Sequence, residues 1–304
     1  MATGRRDGES CAQCNCGYQS ADANHRVLLV LAAYKEYLVL SMKSWRRSRY
    51  NPLVEHLLRA TARAEARHFW FRGFRTFVTP LLREAAANRP GLRLLDCGCG
   101  TGANVALLDT VGRAYGFDLT DVGLRIGRDA GRTRLARASV TAAPFPTASF
   151  DIVTSFDVLY SLEDADERAA IAEMHRLLKP GGVAIVNVAA MPVLRGDHSV
   201  LSREVRRYSR ADLRARLERE GFVIERLTYT NATLFLPLAL SRVLQRRRGL
   251  RRESDAAAEA EITVPPAPIN ALMTLVMQLE ALWLRWFDAP FGSSLLCVAR
   301  KPTS

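Results

Sequence analysis

The residues best suited to chemistry lie in Leu94–Gly102 (LLDCGCGTG), with an acid at Asp96 and glycines at Gly98, Gly100 and Gly102; a second acid, Asp118, follows in YGFDLT. Apolar Leu92, Leu94 and Leu95 lead into the first acid, and a helix-compatible Ala103–Leu108 follows the glycines. Such a strand, glycine turn and helix lets backbone approach a ligand where side chains would collide. An acid ending the next strand is placed to accept hydrogen bonds from ribose hydroxyls. The chemistry implied is capture of an adenosine-containing cofactor. The turn alone leaves its identity open, because Gly98-x-Gly100-x-x-Ala103 with Asp118 about 20 residues on also satisfies the dinucleotide fingerprint.

Two further motifs separate the readings. Ala143–Val153 reads APFPTASFDIV, and Leu177–Gly182 reads LLKPGG just before the apolar run Val183–Val188. With Asp96-x-Gly98-x-Gly100-x-Gly102 as the first motif, the three occur in order over residues 92–190. They resemble the class I S-adenosylmethionine-dependent methyltransferases, in particular the type 11-like methyltransferase domain of a bacterial subset. A dehydrogenase has no reason to carry the second and third motifs. The resemblance implies a methyltransferase enzyme with S-adenosylmethionine as cofactor. It gives Asp96 the amino-acid end and Asp118 the ribose. Ser139 falls near the adenine side, where many relatives carry aspartate. Phe156 packs either on the cofactor or only on the core. Ser161 stands where relatives commonly have histidine. A nicotinamide-dependent oxidoreductase on the same turn and a non-catalytic S-adenosylmethionine-binding protein are the alternatives.

Met191–Tyr208 (MPVLRGDHSVLSREVRRY) resembles a substrate-side loop of the same subset. Asp197, His198, Arg206, Arg207 and Tyr208 match it in kind, while Arg203-Glu204 replaces a second histidine. A base near neutral pKa suits deprotonation of a hydroxyl, which makes His198 the expected base, with Asp197 and Tyr208 completing the catalytic set. The plainer reading of His198 is a solvated loop histidine. Arg206 and Arg207 either hold an anionic group or brace the loop against carboxylates. The segment after the SFD motif has neither an Asn/Asp-Pro-Pro-aromatic run nor a Pro-Cys pair, and the basic stretches lack interleaved aromatics. The expected acceptor is therefore a small or lipid-linked molecule, methylated at oxygen, and not a nucleic acid.

These residues need a scaffold. Alternating patterns predict strands near 92–97, 113–118, 136–140, 150–156 and 183–189, with helices near 103–110, 121–130, 165–178 and 210–220. Phe222–Tyr229 and Ser294–Ala299 supply a sixth and a seventh strand. The expected fold is α/β: a Rossmann-like doubly wound seven-stranded sheet with an antiparallel last strand. N-terminal helices precede it, with 52–87 read as one helical stretch containing Glu65–Gly73 (EARHFWFRG), which resembles an N-terminal segment of the bacterial subset and either caps the cofactor pocket or packs as an ordinary amphipathic helix on the sheet. About 65 residues between the last two strands are too many for a structureless loop. They predict a helical insertion with helices at Thr233–Leu244 and Ile269–Phe287. The division is thus 1–50 appendage, 51–90 helical cap, 91–230 core, 231–291 insertion and 292–304 final strand and tail.

Apolar residues make up 48% of the 304, enough for a sizeable core and against a disordered chain. The net charge of +12 favours anionic partners, although arginine and alanine richness also follows from a GC-rich genome. Cys11, Cys14, Cys16 and His25 could supply four zinc ligands, but the Cys14-x-Cys16 pair strains tetrahedral geometry and no second turn organises the set, so a tail without metal is expected. Polar residues 1–24 do not read as a signal peptide, and Lys35 and Glu36 interrupt the apolar run Val27–Leu40. A cytoplasmic protein is expected. The insertion's apolar helices beside Arg242, Arg246–Arg248, Arg251 and Arg252 fit either peripheral membrane contact or a helical cap or dimer interface.

Overall fold

A computed structural model describes residues 52–87, 89–197, 199, 202–249 and 262–303. The expected appendage at 1–50 and the candidate base His198 lie outside the described residues. Seven strands build one sheet: β1 (Arg93–Cys97), β2 (Arg113–Asp118), β3 (Leu135–Arg137), β4 (Phe150–Phe156), β5 (Leu178–Ala189), β6 (Val223–Thr230) and β7 (Ser294–Arg300). Their order is β3-β2-β1-β4-β5-β7-β6. The first five pair in parallel, and β7 runs antiparallel to both β5 and β6. This is the doubly wound sheet expected from the sequence. Winding reverses between β1 and β4, which opens a crevice outside their carboxyl ends.

The central strands are apolar because both faces are covered. Leu94, Leu95, Ile152, Val153 and Val183–Val186 are buried. The covering helices are α1 (Pro52–Ala64), α2 (Phe69–Ala86), α3 (Ala103–Leu108), α4 (Asp121–Asp129), α5 (Asp164–Leu177) and α6 (Arg210–Arg219). α5 opens on Asp164, Asp166 and Glu167 and closes on His175 and Arg176, which complements its dipole. α6 starts at a capping box formed by Ser209 and Asp212.

The stretch 52–87 is two helices and not one. His68 adopts an extended backbone, and its Nδ1 accepts the Trp70 N–H at 3.1 Å, so an N-cap interrupts an otherwise continuous pattern. No proline or glycine marks that break. β3 is shorter than expected, and β5 begins at Leu178, directly where α5 ends.

The insertion forms α7 (Phe235–Arg248) and α8 (Ala267–Trp283). α8 lies along α2. Asn270 accepts the Phe69 N–H at 2.8 Å and donates to the Arg67 carbonyl at 2.9 Å. A methyl group on Gly73 would sit 2.3 Å from Met277, so this glycine is the hole that Met277 fills. Buried Glu280 accepts the N–H groups of Ala232 (2.8 Å) and Thr233 (3.0 Å), tying the approach to α7 onto α8.

Candidate active site

The glycine turn sits at the carboxyl end of β1, in the crevice that the topology creates. Gly98, Gly100 and Gly102 all have positive φ (79°, 54° and 77°), which side-chain-bearing residues adopt at a cost. The N–H groups of Gly98 and Cys99 both donate to the Phe117 carbonyl at 2.9 Å. Gly100 N–H donates to Asp118 Oδ2 at 2.8 Å, and Thr120 N–H donates to Oδ1 at 2.8 Å. The half-buried acid ending β2 is thereby fixed against the turn that ends β1. Ala138 N–H binds the Asp118 carbonyl at 3.1 Å, which brings the loop after β3 alongside; there the hydroxyls of Ser139 and Thr141 pair at 2.8 Å.

Asp96 lies beneath the turn and is 1% exposed. Thr154 Oγ1 donates to its Oδ1 at 2.7 Å, but its Oδ2 has no partner. Burial raises its pKa to about 7; the Thr154 bond opposes the shift and nearby Asp118 adds to it. A buried carboxylate oxygen without a donor is costly unless something supplies one. The ammonium of an amino-acid group would, so this position fits the amino-acid end of S-adenosylmethionine. Cys97 and Cys99 are buried, and burial pushes both thiols well above the ordinary range, so they pack and do not react.

The turn between α1 and α2 clamps this glycine turn. Glu65 is buried, and Thr101 Oγ1 donates to it at 2.7 Å. Arg132 bridges Glu65 (3.3 Å) and the Thr101 carbonyl (2.6 Å), while Arg75 donates to the Glu65 carbonyl at 2.9 Å. EARHFWFRG thus meets the glycine turn through the Thr101–Glu65 hydrogen bond, with the Arg132–Glu65 ion pair beside it.

On the other side of the crevice, Asp157 follows β4 with φ of 60°, a strained value outside glycine. Asn187 Nδ2 donates to its Oδ1 at 2.9 Å, and its own N–H donates to the Asn187 carbonyl at 3.0 Å. Asp157 is exposed at the crevice, and the protein packed around it raises its pKa toward neutrality. The Asn187 bond and Arg207 oppose the shift, and Glu204 adds to it. A carboxylate poised at that pKa can take a proton at neutral pH. Further along the same edge, Asn231 Oδ1 and Ser293 Oγ are buried without hydrogen-bond partners.

A methyltransferase-domain family matches residues 95–186, which contain both acids, the turn and the end of β4. That segment resembles a methyltransferase domain. Curated relatives include the ubiquinone/menaquinone biosynthesis C-methyltransferase UbiE of Shewanella halifaxensis, 34% identical over 137 residues, 41% of this chain and 52% of that protein. UbiE of Shewanella frigidimarina is 37% identical over 114 residues, 34% and 45% respectively. The chain thus spans about half the length of the curated relatives it matches. Among solved structures, Haemonchus contortus phosphoethanolamine N-methyltransferase 2, in complex with phosphomonomethylethanolamine and S-adenosylhomocysteine, superposes with a TM-score of 0.51 at 16% identity. That match covers 84% of this chain and 59% of that one, and it shows a shared fold.

The segment at residues 95–186 brings Asp96, Gly98, Gly100, Gly102, Asp118 and Ser139 to one end of the sheet. Phe156 is buried with its ring 5.0 Å from that of Phe74 on α2, which is core packing. Tyr208 departs from its expected catalytic place. It is 1% exposed and donates its hydroxyl to Glu167 of α5, so it has no face for an acceptor. Asp197 is also buried, with its N–H on Gln245 of α7 at 3.3 Å. Arg206 and Arg207 are engaged with carboxylates: Arg206 pairs with Glu167 at 2.9 Å, and Arg207 grips Glu204 through two bonds of 2.8 and 2.9 Å. Glu65 and Asp157 were missed by sequence reasoning. Glu65 had a signal, its place in EARHFWFRG; Asp157 had only its position after SFD.

Proposed function

We propose that the protein is an S-adenosylmethionine-dependent methyltransferase that methylates a small or lipid-linked molecule at oxygen. The observation that carries this reading is the unpartnered Oδ2 of buried Asp96 beside a glycine turn fixed to Asp118. When bound, the cofactor supplies an electrophilic sulfonium methyl group for an in-line displacement. Asp96 Oδ2 would hold the ammonium of its amino-acid end, Asp118 would accept from the ribose hydroxyls, and Ser139 would lie on the adenine side. Gly98, Gly100 and Gly102 keep side chains out of the way. Asp157, oriented by Asn187, takes the acceptor's proton onto its carboxylate. His198, with Asp197 beside it in the chain, is the second proposed proton carrier.

A carbon acceptor is the second reading, favoured by the quinone C-methyltransferases among the relatives. An acidic carbon and a hydroxyl make the same demand on Asp157, which is a proton acceptor at the methylated atom. Among the described residues no helix is long and apolar enough to cross a membrane. A cytoplasmic location with peripheral membrane contact belongs to the same proposal.

Thermal melting with S-adenosylmethionine, S-adenosylhomocysteine and NAD tests the donor. A ligand at 100 times its dissociation constant adds about 2.7 kcal/mol of stability. A shift with NAD and none with either methyl-cofactor form would overturn the reading in favour of an oxidoreductase. Turnover of labelled donor on an extract of host metabolites tests catalysis. Binding without turnover on any fraction would leave a non-catalytic binding protein.

A further inference from the structure

The insertion leaves apolar surface uncovered among the described residues. α8 is apolar nearly all round. Asn270, Thr274, Met277 and Ala281 face inward, whereas Leu272, Leu275, Leu279, Leu282 and Trp283 are 43–57% exposed. Both sets repeat every three to four residues, so they are opposite faces of one helix. Trp286 and Phe287 continue the outward face, at 69% and 57% exposed. On α7, Leu236, Leu240 and Leu244 stand exposed at four-residue spacing. Soluble monomers rarely leave so extended an apolar face open without a partner for it.

Charge narrows the choice of partner. The last turn of α7 carries Arg246, Arg247 and Arg248, all exposed, and α7 contains no acid. The single acid of α8, Glu280, is buried and engaged with Ala232 and Thr233. The exposed faces of both helices therefore combine apolar and aromatic side chains with positive charge and no negative charge. A second copy paired symmetrically through α7 would bring no carboxylate to meet these arginines, because α7 contains none. An anionic bilayer accepts all three features: hydrocarbon for the leucines, the interface for tryptophan, and phosphates for arginine.

We infer that the outward faces of α7 and α8 are a docking surface for an anionic phospholipid bilayer. The helices lie in the interface, with Arg246–Arg248 on headgroup phosphates. This deepens the lipid-linked reading of the acceptor and rests on it for its purpose. β6 runs parallel to β5, so α7 departs from the edge of the sheet that holds Asp157 and Asn187. Docking through α7 would bring that edge to the membrane, where a lipid-linked acceptor resides.

The test is co-sedimentation of the full chain with phosphatidylcholine vesicles, with and without phosphatidylglycerol, alongside tryptophan emission. Binding to the phosphatidylglycerol vesicles, weakened by salt and accompanied by a blue shift, is expected. Leu275→Gln with Leu279→Gln and Trp286→Gln should weaken it at least tenfold. Arg246→Gln, Arg247→Gln and Arg248→Gln together should cost about a hundredfold on anionic vesicles. No binding to either vesicle overturns the inference, as does binding that both variants retain. A dimer in analytical ultracentrifugation that the leucine variant dissociates assigns the face to a second copy and also overturns it. Melting shifts with S-adenosylmethionine are read on every variant. Their absence in a protein that still binds vesicles sinks the methyltransferase reading and leaves the membrane surface standing.

Discussion

The two sides of the crevice are built by different means. The donor side is local: Asp96 to Gly102, Asp118 and Ser139 come from three consecutive strand ends, and backbone bonds of 2.8–3.1 Å lock them together. The proposed acceptor side is assembled from distant pieces: Asp157 after β4, Asn187 on β5, Glu204 and Arg207 in the loop, and Asn231 and Ser293 flanking the insertion. Donor recognition thus depends on backbone shape, and acceptor recognition on long-range packing. The same core can keep one methyl donor while exchanging acceptors.

The largest expected effect separates the two sides. Asp118→Ala removes the partner of Gly100 N–H and of Thr120, and also the acid for ribose. It should weaken S-adenosylmethionine at least a hundredfold by calorimetry, about 2.7 kcal/mol. Asp157→Asn should leave donor affinity within about twofold while slowing methyl transfer. Comparable donor losses in the two variants would erase the division drawn here.

Glu65→Ala probes the clamp next. It strips Thr101 and Arg132 of a buried carboxylate, and loss of a fully buried partner costs about 3–5 kcal/mol. Arg132 is 22% exposed and can regain water, so a loss of about 2 kcal/mol in urea unfolding is expected. Donor affinity should fall with it, because the turn loses its outer support. Unchanged affinity would make the turn between α1 and α2 a packing element only.

This clamp also shows where sequence reasoning ends. The turn, both acids and the seven strands were legible because each is a local pattern: apolar runs, glycines at positions needing positive φ, and acids at strand ends. Glu65 was not, since Thr101 and Arg132 lie 36 and 67 residues away and a helical glutamate reads as solvent-facing. Asp157 depends on a backbone angle that its residue type does not announce. Tyr208 sat in a loop that resembled a catalytic one, but Glu167, 41 residues earlier, draws it into the core. The insertion was legible as two apolar helices. Which face each buries was not, because α8 is apolar on both.

Asp96 sharpens the donor side through pH. Its folded pKa of about 7 lies above the ordinary carboxylate value, so the folded chain holds a proton that the unfolded chain releases near pH 4. Without ligand, stability should fall as pH rises from about 4 to 7 and then level off, and Asp96→Asn should shrink that fall to the part that Asp157, also raised to about 7, contributes. An ammonium prefers the ionised acid, so donor affinity should run the opposite way. It should drop by up to tenfold per unit as pH falls below about 7, about 1.4 kcal/mol per unit. Asp96→Asn should give weak binding with a flat profile. A wild-type profile that is also flat would remove Asp96 from the ammonium.

The smallest effect falls on the residue whose expected role changed most. Tyr208→Phe deletes one hydroxyl from a buried carboxylate that keeps Arg206 and Arg216. Glu167 therefore stays paired, and the cost should be that of one hydrogen bond, about 1 kcal/mol or slightly more. Donor affinity should not move, and methyl transfer should stay within about threefold of the parent, because the ring still fills its place in the core. A hundredfold loss of turnover with unchanged stability would return Tyr208 to the catalytic set. It would also require the loop to swing Tyr208 away from Glu167 during turnover, and the acceptor side would then be a moving assembly instead of a packed one.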